Sequence, residues 1–478
     1  MSGTTQASEQ AGNRAPSRAA WLLLVFVLVN SFAVNLALPR LPWQPQFMTT
    51  LTYSSSFVNH IAHSDSWKAM RTALFYTDEP RKKPLYSAVY FDNNVRFQYP
   101  PSSLLVLEAL RAIGGNEAIL DPTLNEISWW AIVILALLMV RIFYLTRRRF
   151  SGDTPTNTGD EWVYGCAVII VTLTFYPVVR GYYLGQIQVW IDLLLAAVVW
   201  AWLEERRALS GALLAGICVI KPTLAIVVIW GALRRQWDFI VGFAVPMSIV
   251  AVVALAAYGM ANHLDYLNVL SYISRQGEVF HPNQSMNGLL HRLFQNGDSL
   301  NWEKDVLVTY HPWVHGGTVV SSLALVAIGV FTVRAQTASS GALELAIVIL
   351  CSTLAAPTVW THHYGVTLPL FAMALPAALA AGRTAGDPRR LLVVLVVAFL
   401  LVSNNYRVLN RLAETPLNFL QSYVYFGGLL LLGLLWVLRS RLPGQRELSR
   451  TGLRATASHH AQAGLPRGSG PGTSAPID

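Results

Sequence analysis

The sequence predicts an all-α, polytopic membrane protein, and three observations lead to that fold class. Of the 478 residues, 53% are hydrophobic and only 13% are charged, whereas soluble domains carry roughly 25% charged residues. Apolar runs close to the roughly 20 residues that cross a bilayer as a helix recur along the chain. Lys and Arg cluster in short segments between these runs, which is typical of cytoplasmic loops. Topology therefore explains the net charge of +9, and no nucleic-acid partner is expected.

The two ends of the chain differ in composition from its centre. Residues 1–18 are rich in Ser, Gly, Ala and Gln, which predicts a disordered cytoplasmic N-terminus. The first apolar run, 19–38, exceeds the roughly 7–15 residues of a signal-peptide core and lacks a small-residue cleavage site, so we expect a retained span. Residues 439–478 are basic and then rich in Gly, Pro and Ser, which predicts a disordered cytoplasmic tail. A single transmembrane domain, 19–438, is expected between the two ends.

Polar segments between the spans are predicted to gather on the outer face, opposite the arginine clusters. They comprise two long loops and two short turns, at residues 39–101, 258–312, 180–188 and 356–364. Counting the apolar runs between these features and the basic turns gives roughly 11 to 13 spans. The apolar stretch 102–113 is short, and the sequence leaves open whether it is a span, a re-entrant helix or an interfacial helix.

The first outer loop contains a predicted interfacial helix. Its residues 66–76 place Trp67, Met70 and Leu74 on one side, and either Ser64 or Asp65 could cap it. Aromatic residues beside an apolar stripe suit the membrane interface. The loop closes on a double proline, Tyr99-Pro100-Pro101, whose fixed φ angles suit the start of a helix.

The apolar segment 211–233 is predicted to be a hairpin of two half-spans. Lys221-Pro222 interrupts it, and arginines both precede it, at 206 and 207, and follow it, at 234 and 235. A single crossing would place these two arginine pairs on opposite sides of the membrane. Because both are expected in the cytoplasm, we predict that the chain turns back at the proline.

Several polar residues in or beside apolar runs are candidates for function. Asp192 lies within a predicted span, where a carboxylate indicates function, although it could instead pair with Lys221 as a structural brace. Lys221 could likewise brace the hairpin or extend to a lipid phosphate. Gln186 and Gln188, where a span emerges, offer amide donors and acceptors.

Two further polar motifs lie on the outer face. His362 and His363 are adjacent, so on a helix their side chains point about 100° apart and one can face a cavity while the other packs. Neither these histidines nor the three cysteines have metal-ligand spacing, and no metal site is expected. Asn283-Gln284-Ser285 precedes an amphipathic segment and, taken alone, predicts a well-capped interfacial helix.

Five of these motifs occur in a fixed order: Phe97-Gln98-Tyr99-Pro100-Pro101, Gly185-Gln186-Ile187-Gln188, Lys221-Pro222, Asn283-Gln284-Ser285 and Trp360-Thr361-His362-His363-Tyr364. Over about residues 20–440, the chain resembles glycosyltransferase family 87, the DUF2029 group, which includes mycobacterial phosphatidylinositol-mannoside mannosyltransferases. The resemblance implies a GT-C-type fold with an active-site cavity on the periplasmic face of the inner membrane. It further implies inverting transfer of a sugar, mannose by analogy, from a polyprenyl-phosphate donor to a glycolipid or glycan acceptor, without cofactor or metal.

The resemblance also implies a general base, an aspartate of the first outer loop. Its spacing before Leu85-Tyr86 makes Asp65 the expected base, with the role of helix cap as the alternative and Asp92 in reserve. The expected substrate-binding residues are Gln98, Tyr99, Gln186, Gln188, Asn283, Gln284, His362, His363 and Lys221. The basic and histidine side chains among them would stabilise the departing phosphate.

Two other functions use the same kind of chain. Broken helices such as the one at Lys221-Pro222 also occur in transporters, so a transporter or flippase of lipid-linked or small polar solutes is the rival class. A ligase or polymerase of the O-antigen type, which also uses lipid-phosphate sugars, is a third possibility. The lack of a recognisable inverted repeat and the gathering of polar residues on one face favour the glycosyltransferase.

Overall fold

The computed structural model describes residues 16–37, 40, 48–79, 83–114, 117–151, 158–302, 308–332, 337–385 and 388–441. Within these ranges the chain is helical, and extended backbone pairs only at one isolated bridge, between Asn283 and Trp360. The all-α prediction is therefore confirmed for the described part of the chain. Most of the predicted disordered N-terminus and of the C-terminal tail lies outside the described residues.

Helices of very different lengths make up the bundle. The principal helices, in chain order, are α1 (Arg18–Ala37), α2 (Thr50–Val58), α3 (Asp65–Asp78), α4 (Leu105–Ala112), α5 (Glu117–Ser151), α6 (Thr158–Leu173), α7 (Tyr176–Leu184), α8 (Gln188–Leu203), α9 (Arg207–Ile220), α10 (Ile226–Leu233), α11 (Trp237–Gln276), α12 (Met286–Leu293), α13 (Pro312–Phe331), α14 (Ala338–Leu354), α15 (Thr367–Ala385), α16 (Pro388–Ser403) and α17 (Tyr423–Arg441). Short 3₁₀ or π turns connect several of them, at Ser87–Asp92, Pro101–Leu104, Pro222–Ala225, Thr361–Val366, Arg407–Leu412 and Asn418–Ser422.

Six of the described helical stretches are long and apolar enough to cross a membrane: α1, α5, α11, α13, α15 with its preceding turn, and α17. A seventh is the pair α6 and α7, which bends by 44°. Shorter apolar helices, including α8, α9 and α14, pack among them. The polytopic fold is thus confirmed. The prediction of roughly 11 to 13 spans also counted shorter apolar helices, such as α9. The 14 residues of α9 extend only about 21 Å, which is less than the roughly 30 Å of the hydrocarbon core.

The segment after the double proline does not cross the bilayer. Its helix α4 has eight residues, a length of about 12 Å. At the start of this segment, Ser102 Oγ donates a hydrogen bond to the carbonyl oxygen of Val219 at 2.8 Å. The double proline therefore leads into a short helix beside the tip of the α9–α10 hairpin.

Helices α9 and α10 form the hairpin that the sequence predicts. Trp230, near the end of α10, contacts Trp202, at the end of α8, with ring centroids 5.4 Å apart. At the start of α11, Gly242 packs so closely on Ala208, at the start of α9, that a Cβ would lie 2.0 Å from the Ala208 oxygen. The first residues of α9 and the last residues of α10 therefore lie at the same end of the bundle, and Lys221 is at the opposite tip.

We call the end of the bundle that contains Arg149, Arg207, Arg234 and Arg439 the basic end. The side chain of Glu344 on α14 is only 2% exposed there, and it accepts hydrogen bonds from Arg234 at 3.1 Å and from Arg439 at 2.7 Å. Because a buried carboxylate is stable only with such partners, this cluster ties α10, α14 and α17 together at the base of the hairpin.

The predicted interfacial helix of the first loop is α3, and its apolar side faces the protein. Trp67, Met70 and Leu74 have no exposed surface. The Trp67 indole donates to Asn125 Oδ1 on α5 at 2.9 Å. Its ring packs at a tilt against Trp190 of α8, with ring centroids 5.2 Å apart. The stripe was predicted correctly, but it packs on α5 and α8 instead of on lipid.

We expect Gly242→Ala to destabilise the protein by about 1–3 kcal/mol, the cost of overpacking a tight helix contact. The added methyl would collide with the backbone of Ala208, which cannot rotate away. The measurement is the thermal unfolding midpoint in detergent. Gly433→Ala is the matched control, since a Cβ there meets nothing within 4 Å. Equal midpoints for the two variants would contradict close packing of α9 on α11.

Candidate active site

The start of α3 meets the turn between α7 and α8, and this contact joins Asp65 to Gln186. Gln186 Nε2 donates to Asp65 Oδ2 at 2.5 Å, and its Oε1 accepts from Ser66 Oγ at 2.7 Å. Ser66 Oγ also lies 2.8 Å from the Tyr99 hydroxyl and accepts from the backbone N–H of Ile187 at 3.2 Å. Three segments that are distant in sequence therefore meet at one carboxylate.

Gly185 makes this contact possible. Its φ of +68° ends α7 in the left-handed region, which glycine adopts without strain. A Cβ on Gly185 would lie 1.9 Å from the carbonyl oxygen of His63. Backbone hydrogen bonds hold the contact on both sides, from His63 N to Tyr183 O at 2.8 Å and from Ser66 N to Gly185 O at 3.2 Å.

Asp65 is accessible to solvent, yet many protein atoms surround its carboxylate. This partial desolvation raises its pKa above the usual value for an aspartate, while the hydrogen bond from Gln186 and the nearby His63 lower it. Ser64 occupies the N-cap position of α3, and no side-chain hydrogen bond caps the helix. The alternative role of Asp65 as a helix cap is therefore wrong, and its carboxylate is directed to Gln186.

A second polar chain lies deeper, between α8 and the hairpin tip. Lys221 Nζ donates to Gln188 Oε1 at 3.3 Å, and Gln188 Nε2 donates to Asp192 Oδ1 at 2.8 Å. Asp192 is 1% exposed, and its Oδ2 packs on Gly365, where a Cβ would lie 1.9 Å away. Gln188 thus lies between Lys221 and Asp192 and bonds to both, in place of the direct ion pair that one interpretation of Asp192 expected.

His362 and His363 lie in the Thr361–Val366 turn, just before α15. Their rings are perpendicular with centroids 4.7 Å apart, and a Cβ on Gly181 of α7 would lie 3.6 Å from His362 Cβ. The backbone N–H of Trp360 donates to His363 Nδ1 at 3.3 Å. In the described ranges, no three His, Cys, Asp or Glu side chains are grouped so that they could hold a metal ion.

Asn283 and Gln284 join the second loop to the histidine turn. Both are fully buried, and Gln284 N donates to Val359 O at 2.7 Å. The Gln284 amide donates to Gln421 O at 2.7 Å, and Asn283 Oδ1 accepts from Val359 N at 3.0 Å. The Tyr364 hydroxyl donates to Gln284 O at 2.6 Å. The side-chain amides of both residues are therefore engaged by the protein itself.

Two further predicted residues, Asp92 and Gln98, do not take part in these hydrogen-bonded clusters. Asp92 is half-exposed and pairs with Lys83 at 2.6 Å. The Gln98 side chain lines a polar cavity between the two loops together with Tyr272 and Trp360.

Sequence reasoning missed two residues that organise this region. Ser66 appears in the sequence only as one residue of the helix α3, but its hydroxyl joins Gln186 to Tyr99. Arg292 in α12 is 1% exposed, and it donates to Asn283 O at 2.9 Å and to Ser422 Oγ at 2.6 Å. Burial lowers the pKa of Arg292 to about 9. Nothing in the sequence distinguishes this arginine from one on a surface helix.

The fold and this site define a polytopic helical membrane protein with a carboxylate-centred polar site at the end opposite the arginine clusters. The family model of glycosyltransferase family 87 matches residues 97–358. This match covers more than half of the chain, and the protein belongs to that family. The matched range includes Gln186 and Lys221, whereas Asp65 precedes it and His362 follows it.

A curated relative is the polyprenol-phosphate-mannose-dependent alpha-(1-2)-phosphatidylinositol pentamannoside mannosyltransferase of Mycobacterium tuberculosis (strain CDC 1551 / Oshkosh). The two chains are 26% identical over 294 residues, which is 60% of this chain and 61% of the relative. The present chain thus spans less than two thirds of the length of that protein. No solved structure matches the chain.

We expect Gly185→Ala to abolish the contact between α3 and the α7–α8 turn, because the methyl would collide with the backbone of His63. Sugar transfer should fall at least tenfold. Gly259→Ala is the matched control, since Gly259 also has a positive φ, +73°, but a Cβ there meets nothing within 4 Å. That variant should lose about 1–3 kcal/mol of stability, the cost of placing a side chain on a backbone with φ +73° and ψ 157°, without the activity loss of Gly185→Ala. Equal activity losses in both would show that backbone strain alone matters.

Proposed function

We propose that the protein is an inverting membrane glycosyltransferase that moves a sugar from a polyprenyl-phosphate donor to a lipid or glycan acceptor. The observation that carries this proposal is the accessible Asp65 carboxylate, which Gln186 orients at the point where three distant segments meet. Family membership supports the reaction class. The name of the mycobacterial relative supports mannose as the sugar and polyprenol phosphate as its carrier.

The reaction is a single displacement at the anomeric carbon. An acceptor hydroxyl gives its proton to Asp65 while its oxygen bonds to C1 of the sugar. The bond from C1 to the phosphate oxygen breaks at the same time, and polyprenyl phosphate leaves with that electron pair. Attack opposite the leaving group inverts the configuration at C1. The protein supplies a base, orientation and stabilisation of the phosphate charge.

The electrostatic setting of Asp65 suits a general base. A carboxylate is most effective when its pKa lies nearer the working pH than in free aspartate. Desolvation moves the pKa of Asp65 in that direction. Gln186 keeps the carboxylate oriented, and its hydrogen bond lowers the pKa and so favours the ionised form that accepts the proton.

The remaining predicted residues take supporting roles in this proposal. Those that shape the sugar and acceptor pocket are Gln98, Tyr99, Gln186, Gln188, Asn283 and Gln284. Those that lie near the phosphate are His362, His363 and Lys221. Because Asn283 binds the backbone of Val359, just before the histidine turn, and the Gln284 carbonyl accepts from Tyr364 within it, these two residues would act by fixing the position of His362.

We further propose that the site faces the periplasm and that the protein resides in the inner membrane. Lys221 contacts Gln188 near the site, and α9 and α10 extend from there to the basic end. Arginine-rich segments remain in the cytoplasm, which puts Asp65 on the opposite side. The donor and the acceptor would then both be lipids or glycans of the outer leaflet, and the chemistry uses no metal or cofactor.

One experiment separates this function from transport. Purified protein in detergent is incubated with polyprenyl-phosphate-mannose and with phosphatidylinositol mannosides as candidate acceptors. Formation of a mannosylated lipid without a sealed vesicle excludes pure transport. Vesicle-dependent movement of the donor, without a new glycosidic bond under any condition, would overturn the proposal.

We expect Asp65→Asn to reduce sugar transfer by at least a hundredfold, the lower range for loss of a general base. Because the folded protein raises the pKa of Asp65, its ionised form costs stability at neutral pH. The variant should therefore unfold at the same temperature as the wild type or higher. Asp92→Asn is the reciprocal test and should retain activity. Loss of transfer in that variant alone would assign the base to Asp92.

We expect Gln186→Leu to shift the acidic limb of the kcat/KM profile to higher pH. The Gln186 hydrogen bond lowers the pKa of Asp65, so its removal raises that pKa and protonates the base at a higher pH. Lys83→Met is the control, because it removes the cation beside Asp92 only. A shift in the Lys83 variant with none in the Gln186 variant would point to Asp92 as the base.

A further inference from the structure

Arg180 lies on α7, between the candidate base and the histidine turn, and no motif of the sequence singles it out. Its guanidinium stacks on the ring of Tyr176 at 5.6 Å and hydrogen bonds to the Tyr176 hydroxyl. The next residue, Gly181, packs on His362, where a Cβ would lie 3.6 Å from His362 Cβ. One turn farther along α7, Tyr183 binds the His63 backbone, two residues before Asp65. Arg180 therefore borders the proposed active site.

The charge of Arg180 has no acidic partner in the described part of the chain. The neighbouring groups that favour its charged form are the phenols of Tyr176, Tyr53 and Tyr423. Its Nε is buried and has no hydrogen-bond partner. The arginines of the basic end differ in this respect, since Arg234 and Arg439 both bind Glu344.

A second arginine reinforces this positive region. Arg407 is exposed in the short turn after α16. Its charge acts on Tyr53 and His281, as the charge of Arg180 does. Burial raises the pKa of Tyr53 to about 12, and the charges of both arginines act against that rise. Burial and the same two arginines, together with Arg292, hold the pKa of His281 well below its usual value.

A cation in a protein interior that lacks a counter-ion costs several kcal/mol. Such residues in membrane proteins commonly mark the path of a substrate. An oxyanion with several acceptor oxygens would bind the free Nε of Arg180 and offset this cost. Guanidinium groups match phosphate geometry in particular, because they donate parallel hydrogen bonds from a rigid plane.

We propose that Arg180 binds the phosphate of the lipid substrate. This inference rests on the proposed function and deepens it. The sequence alone favoured the histidines for this role, but His362 packs on Gly181, the residue after Arg180, and is 5% exposed. Arg180 carries a permanent charge. In this arrangement the arginine stabilises the phosphate as it leaves, while Asp65 takes the acceptor proton beyond the C-terminal end of α7.

The test measures ligand-induced stabilisation, which requires no turnover. Wild-type protein and the variants Arg180→Gln and Arg180→Lys are heated in detergent with polyprenyl monophosphate. We expect the phosphate to stabilise the wild type, and the half-saturating concentration to rise roughly tenfold or more in Arg180→Gln. Arg180→Lys should be intermediate, because it keeps the charge and loses the planar donors. In transfer assays, Arg180→Gln should raise KM for the donor and lower kcat without changing KM for the acceptor.

Ligand arms and control variants make the outcomes distinct. Neutral polyprenol should not stabilise any variant, and inorganic phosphate and phosphatidylinositol show whether the lipid carrier or any phosphate suffices. Arg141→Gln, at an exposed ion pair with Glu204, should bind polyprenyl phosphate as the wild type does. Tyr176→Phe keeps the stacked ring and removes the hydroxyl that accepts from Arg180, so it reports whether loss of that hydrogen bond alone destabilises α7.

Two results would overturn the proposal. One is equal stabilisation of the wild type and Arg180→Gln by polyprenyl phosphate. The other is sugar transfer by a wild type that polyprenyl phosphate does not stabilise. A wild type that binds polyprenyl phosphate through Arg180 but forms no glycosidic bond would instead contradict the proposed function and leave the phosphate site in place.

Discussion

The docking of the α7–α8 turn on the first turn of α3 is the contact on which the candidate site depends. Here two backbones approach so closely that only glycine fits at position 185, and two backbone hydrogen bonds hold the contact. Gln186 follows directly and is thereby directed at both Asp65 and Ser66. The loop that carries the carboxylate is consequently attached to the transmembrane bundle by main-chain geometry, which varies little with solvent or temperature.

The rest of the polar end is built from groups that satisfy one another. Asn283, Gln284 and Arg292 are fully or almost fully buried, and each binds main-chain oxygens or N–H groups of neighbouring segments. Since an unsatisfied polar group is costly away from water, these bonds hold the second loop and the histidine turn in one arrangement. Asp65 and Arg180 differ from these groups. Asp65 presents an accessible carboxylate, and Arg180 is a cation that has no acidic partner in the described ranges, so these two suit contact with substrate.

The hairpin of α9 and α10 connects the two ends of the molecule. At the basic end it is anchored where Glu344 binds Arg234 and Arg439, and at its tip Lys221 binds Gln188. Ala208 and Gly242 allow α9 and α11 to touch at the backbone, as small residues do in membrane helix pairs. A long helix, α11, therefore supports a short re-entrant element that carries a cation toward the site.

Composition and pattern alone determined the fold class, the re-entrant turn at Lys221-Pro222 and the apolar stripe of α3, because apolar length, basic turns and proline breaks are local signals. The ordered motifs and the family resemblance that they carry also singled out Asp65, Gln186 and Tyr99, which the structure brings together. Only the tertiary structure decided that α3 packs on protein, that Gln188 bridges Asp192 to Lys221, and that Arg180 has no acidic partner among the described residues. These facts depend on which side chains from distant segments share a low-dielectric space, and no residue's own sequence neighbours contain that information.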